Sequence, residues 1–180
     1  FGGFSNYLVR DQSQLETIDK NLPDEQAILI EPLACSLGAI KKVSIKKNDR
    51  ILIIGAGIIG QGIAHLLRYI YGKKIKIVMA TNSHEHYSII NKSIVNKIIF
   101  QKDIFDQSKK MLKFKLNQKF LNKIIEDGYN KIFECSGSNK MINKSLRLTS
   151  RNSEIVLVSM NMNYVKLDPT PIWHRNLNIK

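Results

Sequence analysis

The sequence has few of the features that mark secreted, metal-knotted or membrane-spanning proteins. Its two cysteines, Cys35 and Cys135, lie far apart and show no Cys-x-x-Cys spacing, which argues against a disulfide framework and a cysteine-based zinc knot. No apolar run approaches the roughly 18 to 20 residues that cross a bilayer. These absences predict a soluble chain without a membrane partner, in a reducing compartment, and we expect the cytoplasm.

The chain also lacks an initial methionine and a basic-then-apolar leader. Because it begins at Phe1, we expect it to be an excerpt or a processed product of a longer protein. Its 180 residues leave room for one sizeable core plus an appendage, since domains usually span roughly 100 to 200 residues.

Acidic residues are scarce compared with basic ones: 15 aspartates and glutamates face 28 lysines and arginines, for a net charge of +13. A positive field attracts phosphate-bearing ligands, nucleic acids among them. Lysine, however, is spread through the whole chain together with much asparagine and isoleucine, a pattern that codon bias in an AT-rich genome produces by itself. The composition therefore argues against a nucleic-acid partner and favours a small phosphate-bearing ligand.

Short apolar strands alternate with helical patterns from residue 27 onward. Strands are predicted at 51–54, 74–80, 96–100, 129–137 and 154–160, and Phe120, Leu121, Ile124 and Ile125 fall at helical spacing. Such alternation predicts an α/β fold, a Rossmann-type doubly wound parallel sheet with helices on both faces. The first ten residues alternate loosely and predict a strand of another unit. We therefore predict a boundary between residues 1–26 and a nucleotide-binding domain at 27–180.

The stretch ILIIGAGIIGQG at 51–62 joins a buried strand to an amphipathic helix through a G-x-G-x-x-G loop. Gly55 is expected to allow a tight turn, Gly57 a close approach to a pyrophosphate, and Gly60 close packing of helix on sheet. The helix start then offers N–H groups and a positive dipole end to the anion. A dinucleotide site is the favoured interpretation. A packing turn, an S-adenosylmethionine site and a signalling-nucleotide site remain alternatives.

The acidic residue that usually binds the adenosine ribose, about 20 residues beyond the last glycine, is missing. Thr81 stands there, and the nearest carboxylate is Glu85 in the next helix. Without the acid, nothing repels the 2′-phosphate of NADP, which slightly favours NADP over NAD. The side chains expected to donate to that phosphate are Thr81, Asn82, Ser83, His84 and His86.

The order of GGFSNYLV, LPDEQA, EPLACSLGAI, ILIIGAGIIGQGIA, KIFECSGS, LRLTS, EIVLVSM and NLNIK resembles the medium-chain dehydrogenase/reductase family. The resemblance is to its zinc-dependent alcohol, polyol and threonine dehydrogenase-like branch, and it covers nearly the whole chain. It implies that residues 1–26 are the tail of a β-rich, GroES-like catalytic domain. It also implies hydride transfer between NAD(P) and a small alcohol, polyol or carbonyl substrate, with zinc in the complete enzyme.

The resemblance further implies roles for individual positions. Gly55, Gly57, Ile58, Ile59 and Gly60 would line the pyrophosphate, and Thr81 and His86 the ribose. Ser136, Gly137, Val158 and Ser159 would border the nicotinamide. Glu31 matches a glutamate that approaches the zinc, although charge complementarity at a helix start also explains it.

Several features of the family are absent or altered. No catalytic residue can be assigned in this chain, Gly38 stands where a histidine is frequent, and SRNSE replaces a proline-glycine-glycine turn. A non-catalytic Rossmann module for cofactor sensing or interaction therefore remains the alternative, and a methyltransferase is a third candidate. Family members commonly pair through the last strand of the sheet, so we expect a homodimer formed through this edge.

Overall fold

The computed structural model describes residues 5–112, 116–117, 124–125, 127–160 and 164–180. These residues belong to two compact units, Phe1–Glu31 and Pro32–Lys180. The domain boundary that the sequence places between residues 26 and 27 stays a prediction.

The described part of the first unit contains a short 3-10 helix, Gln12–Gln14, and a one-turn helix α1, Asp24–Ala27. Residues 5–10 do not form the strand that their alternation predicts, and residues 1–4 lie outside the described residues. The side chains of Tyr7 and Val9 are each 92% exposed. An isolated extended segment with no neighbouring strand and no covered face gains too little to be stable as a strand.

The second unit is built on a parallel sheet of six strands in the order β3-β2-β1-β6-β7-β8. When the separate two-stranded ribbon β4-β5 is left aside, this is the order 3-2-1-4-5-6 of a dinucleotide-binding Rossmann sheet. The predicted fold class is confirmed. The strands are β1 Arg50–Ile54, β2 Lys76–Thr81, β3 Lys97–Phe100, β4 Leu116–Asn117, β5 Ile124–Ile125, β6 Tyr129–Glu134, β7 Thr149–Leu157 and β8 Asn178–Ile179.

Of the remaining helices, the first precedes β1 and the others connect successive strands. They are α2 Ile30–Lys41, α3 Ile58–Tyr71, α4 His84–Ile89, α5 Ile104–Leu112, α6 Asn139–Arg147 and α7 Thr170–Arg175. The helix predicted around residues 120–125 is wrong at its end, because Ile124–Ile125 pairs antiparallel with Leu116–Asn117. Phe120 and Leu121 of that prediction lie outside the described residues. Among the described helices, none is both long and apolar enough to pass through a lipid bilayer.

Strand β1 shows why its sequence is continuously apolar. Ile51 and Ile53 belong to the core on one face of the sheet, where α3 packs, and Leu52 and Ile54 belong to the core on the other, where α5 and α6 pack. All four side chains are fully buried. A central strand of a parallel sheet is covered on both faces, so both sets of alternating positions must be apolar.

Glu154 in β7 links the strands on either side of it. Its carboxylate accepts hydrogen bonds from Lys131 Nζ at 2.5 Å, in β6, and from Lys180 Nζ at 2.7 Å, just after β8. Burial raises the pKa of Glu154, but the hydrogen bonds and charges of the two lysines outweigh burial, so that its pKa lies below the ordinary value. The network therefore stabilises the fold when the carboxylate is ionised.

Replacing Glu154 by glutamine is expected to lower the free energy of unfolding by about 1 kcal/mol at pH 7. The pKa is lower in the folded state, so this stabilisation is fully present above the unfolded value of about 4.3. It is lost as the pH falls through the folded value. Urea unfolding at pH 7 and at successively lower pH should therefore show the difference between variant and parent shrinking with acid. If the two proteins differ in stability by the same amount at every pH, the ionised Glu154 carboxylate is not the source of the stabilisation.

Candidate functional site

Strands β1 and β6 lie side by side at the centre of the sheet, although their connections leave in opposite directions. From β1 the chain passes through α3 to β2 on one side, and from β6 it passes through α6 to β7 on the other. In open α/β sheets, ligands bind in the crevice outside the carboxyl ends of the strands at such a switch point. The predicted glycine loop and Ser136 follow these two strands directly.

Two glycines of the loop are required by contacts within the protein. Gly55 has a φ of 104°, and a Cβ added there would lie 2.9 Å from the carbonyl carbon of Cys135. A Cβ on Gly60 would lie 2.0 Å from the carbonyl oxygen of Gly55. The loop is therefore packed tightly against the segment after β6 and against the first turn of α3.

Gly57 differs from these two glycines. A Cβ built on it has no atom of the described protein within 4 Å, and its φ of −74° suits any residue. Gly57 caps the amino end of α3, a helix of 14 residues, with no side-chain hydrogen bond to the cap. Open space thus adjoins the helix end that carries free N–H groups and the positive end of the dipole. A pyrophosphate fits this position.

The other two residues predicted at the pyrophosphate begin α3. The side chain of Ile58 is 58% exposed, whereas Ile59 is partly buried against the core that also contains Ile63 and Leu67. Ile58 is thus available to a ligand at the helix start, and Ile59 mainly anchors the helix to the sheet.

The residues predicted at the ribose surround the end of β2. Thr81 is fully buried, and its hydroxyl accepts a hydrogen bond from the N–H of Ser83 at 3.2 Å. Asn82 is exposed. The N–H of His86 donates to the Ser83 hydroxyl at 3.2 Å and so caps α4. Thr81 therefore stabilises the turn after β2. Asn82 lies at the surface, and His86 is half-buried.

Glu134 is a site residue that the sequence reasoning missed. It ends β6, is fully buried, and its carboxylate accepts hydrogen bonds from the N–H of Ser136 at 3.0 Å and of Gly137 at 3.2 Å. The hydroxyl of Ser136 donates to the same carboxylate. A signal was available: a carboxylate closes the otherwise apolar strand KIFE and is followed at once by small polar residues.

The loop after β7 joins the same cluster. The hydroxyl of Ser159 donates to Glu134 Oε2 at 2.9 Å, and the N–H of Val158 donates to the Glu134 carbonyl at 2.9 Å. Gly137, with a φ of 66°, provides the turn that brings its N–H to the carboxylate. Ser136, Gly137, Val158 and Ser159 are thus brought together around one side chain.

Cys135 and Glu31 lie in different compact units. Burial, together with the neighbouring charge of Glu134, raises the pKa of the Cys135 thiol, which leaves it a neutral packing group. Glu31 lies in the first turn of α2 and is exposed. No three histidine, cysteine, aspartate or glutamate side chains cluster in a metal-binding arrangement within the described residues. The metal role of Glu31 therefore stays a prediction.

No protein-family profile matches the chain. It is 28% identical over 180 residues to D-arabinitol dehydrogenase 1 of Uromyces fabae, a match that covers 99% of this chain and 49% of that protein. It is 26% identical over 180 residues to D-arabitol-phosphate dehydrogenase of Enterococcus avium, covering 98% and 47%. The chain thus spans about half the length of these relatives.

Solved structures show the same fold. The alcohol dehydrogenase RspB of Escherichia coli CFT073, complexed with NADH, superposes with a TM-score of 0.82 at 21% identity, covering 99% of this chain and 49% of that one. Galactitol-1-phosphate dehydrogenase of Escherichia coli superposes with a TM-score of 0.78 at 20% identity, covering 99% and 49%. The curated relatives are named as polyol and alcohol dehydrogenases, which agrees with the resemblance seen in the sequence.

Proposed function

We propose that this chain is the NAD(P)-binding portion of a zinc-type alcohol or polyol dehydrogenase. The observation that carries the proposal is Gly57, which leaves open space before a helix end with no side-chain hydrogen bond to its cap, beside the switch point of the sheet. The relatives named for arabinitol and arabitol-phosphate support the same chemistry. They do not favour a non-catalytic sensing module or a methyltransferase.

The residues present would hold a dinucleotide in three parts. The first turn of α3, with Gly55, Gly57 and Gly60, would bind the pyrophosphate through backbone N–H groups. The turn after β2 would hold the adenosine ribose, and the cluster around Glu134 would border the nicotinamide. When bound, the nicotinamide would accept or supply the hydride exchanged with the alcohol or carbonyl carbon of a small substrate.

The choice between NAD and NADP rests on the end of β2. Thr81, in the place of the ribose-binding acid, is buried, and the exposed Asn82 carries no charge. Neither position carries a carboxylate, so neither side chain would repel a 2′-phosphate. The net charge of +13 would attract that phosphate. We therefore propose that both cofactors bind, with NADP slightly preferred. A solved relative, TarJ of Staphylococcus aureus, is complexed with NADPH and has a TM-score of 0.64 at 22% identity.

The remaining expectations belong to the complete enzyme. They are a cytoplasmic location, zinc approached by Glu31, a GroES-like origin of residues 1–26, and a homodimer. The outermost strand β8 supports the last of these, because it pairs only with β7 within the described residues and could extend the sheet into a second copy.

Replacing Gly57 by alanine is expected to weaken binding of NADH and NADPH at least tenfold, because a methyl group would occupy the space left for the pyrophosphate. The free energy of unfolding should fall by no more than about 1 kcal/mol, the cost of alanine at a helix cap. Calorimetric titration measures the binding, and urea unfolding measures the stability.

The matched control is Gly38→Ala in α2, where a Cβ likewise meets no described atom within 4 Å. This change should leave binding unaltered and stabilise the helix by about 0.5 to 1 kcal/mol. The function is rejected if the parent chain binds neither cofactor at millimolar concentration. If Gly57→Ala binds as tightly as the parent, the pyrophosphate does not lie at the start of α3.

A further inference from the structure

Glu134 presents a buried carboxylate that accepts hydrogen bonds from uncharged groups. Its side chain is fully buried, and within the described residues no lysine or arginine forms an ion pair with it. Burying a carboxylate in this way is costly unless several donors converge on it. Glu134 lies next to β1 at the switch point of the sheet. Functional sites are where proteins tolerate the energetic cost of a buried polar group.

Each carboxylate oxygen of Glu134 serves two donors. Oε1 accepts from the N–H and the hydroxyl of Ser136, whereas Oε2 accepts from the N–H of Gly137 at 3.2 Å and the hydroxyl of Ser159 at 2.9 Å. One side chain therefore fixes the backbone of the loop after β6 and ties it to the loop after β7.

These two loops follow the second mononucleotide-binding half of the sheet, which includes β6 and β7. In the proposed site, the first half, with β1, β2 and the glycine loop, would bind the pyrophosphate and the adenosine. We propose that Glu134 is a positioning residue, which holds these loops in the conformation that receives the nicotinamide. This role rests on the proposed function of the chain.

Glutamine at this position tests the role, because it keeps the size of the side chain and changes only its donors and acceptors. An amide nitrogen must replace one of the two carboxylate oxygens, and each oxygen accepts a backbone N–H. A hydroxyl can rotate to accept a hydrogen bond from the amide, but a backbone N–H cannot. Glu134→Gln therefore leaves one loop N–H without its acceptor in either orientation of the amide.

The experiment compares NADH with ADP-ribose, which contains the adenosine, pyrophosphate and second ribose but no nicotinamide. Glu134→Gln is expected to weaken NADH binding about tenfold and to leave ADP-ribose binding unchanged, both measured by calorimetry on the full 180-residue chain. If NADPH binds more tightly than NADH, the pair becomes NADPH and 2′-phospho-ADP-ribose.

Glu154→Gln is the matched control, since it removes a carboxylate from the interior of β7 in the Lys131 and Lys180 network. It should lower stability without changing the ratio of NADH to ADP-ribose affinity. If Glu134→Gln does not fold, Ser159→Ala removes one donor and should weaken NADH binding about threefold while sparing ADP-ribose.

The outcomes separate two failures. If Glu134→Gln weakens both ligands equally, or neither, the positioning role is overturned while the dinucleotide site stands. If the parent chain binds neither ligand, the proposed function fails and the role of Glu134 fails with it.

Discussion

Replacing Gly60 by alanine is expected to lower the free energy of unfolding by about 3 kcal/mol or more and to remove dinucleotide binding. A Cβ at this position would lie 2.0 Å from the carbonyl oxygen of Gly55. That oxygen cannot move aside easily, because the N–H of Gly55 donates to the Ala80 carbonyl at 2.8 Å and the residue is packed against Cys135. Overpacking against fixed backbone usually costs about 1 to 3 kcal/mol and sometimes more.

Helix propensity opposes this effect, since alanine is favoured over glycine inside a helix by about 1 kcal/mol. A measured loss of stability in Gly60→Ala would therefore be due to the steric clash. Urea unfolding gives the stability, and calorimetry at a temperature where the variant is folded gives the binding. The comparison with Gly57→Ala separates the two effects, because that change is expected to weaken binding with little loss of stability. Gly60→Ala as stable as the parent would show that the helix start can shift.

The second large effect is expected at Gly128, before β6. A Cβ there would lie 1.9 Å from the Leu148 carbonyl oxygen, 2.6 Å from its carbonyl carbon and 2.7 Å from the carbonyl carbon of Thr149. The Leu148 carbonyl is held in place by a hydrogen bond from the N–H of Tyr129 at 2.8 Å. Gly128→Ala is therefore also expected to cost about 3 kcal/mol or more, a large share of the roughly 5 to 15 kcal/mol that stabilises a domain.

Gly128 adjoins the amino end of β6, whereas the proposed site adjoins the carboxyl end at Glu134. The affinity of folded Gly128→Ala for ADP-ribose should therefore equal that of the parent, in contrast to Gly60→Ala. Thermal unfolding with and without ADP-ribose checks both parts. Unchanged stability would contradict the contact with Leu148, and lost affinity in a folded sample would show that the two ends of β6 are coupled.

The sequence alone was sufficient to predict the parallel sheet and its glycine loop. Continuous apolar runs such as 51–54 identify strands buried on both faces, and the stripe on α3 identifies the helix that covers one face. Both signals are local patterns in the sequence, so they can be recognised without knowing which residues lie nearby in the folded protein. The family resemblance could also be recognised from the sequence, because the motifs occur along the chain in the order typical of the family.

Three features required the tertiary structure. The alternation of residues 5–10 did not lead to a strand, because exposed Tyr7 and Val9 have no covered face to fill. The second feature is the burial of Thr81, whose hydroxyl accepts a hydrogen bond from the N–H of Ser83, while its contact with a ribose stays a prediction. The third feature is the cluster around Glu134, which joins residues more than 20 positions apart.

The sequence by itself therefore determined that this chain folds as a Rossmann sheet with a glycine loop at the end of β1. The glycine pattern also predicted separate roles for Gly55, Gly57 and Gly60. Only the tertiary structure decided which atoms they meet, since the contacts of Gly55 and Gly60 and the open side of Gly57 depend on backbone positions. It also decided that Glu134 organises two loops, because donors from separate strands converge on its carboxylate only once β6 and β7 lie side by side.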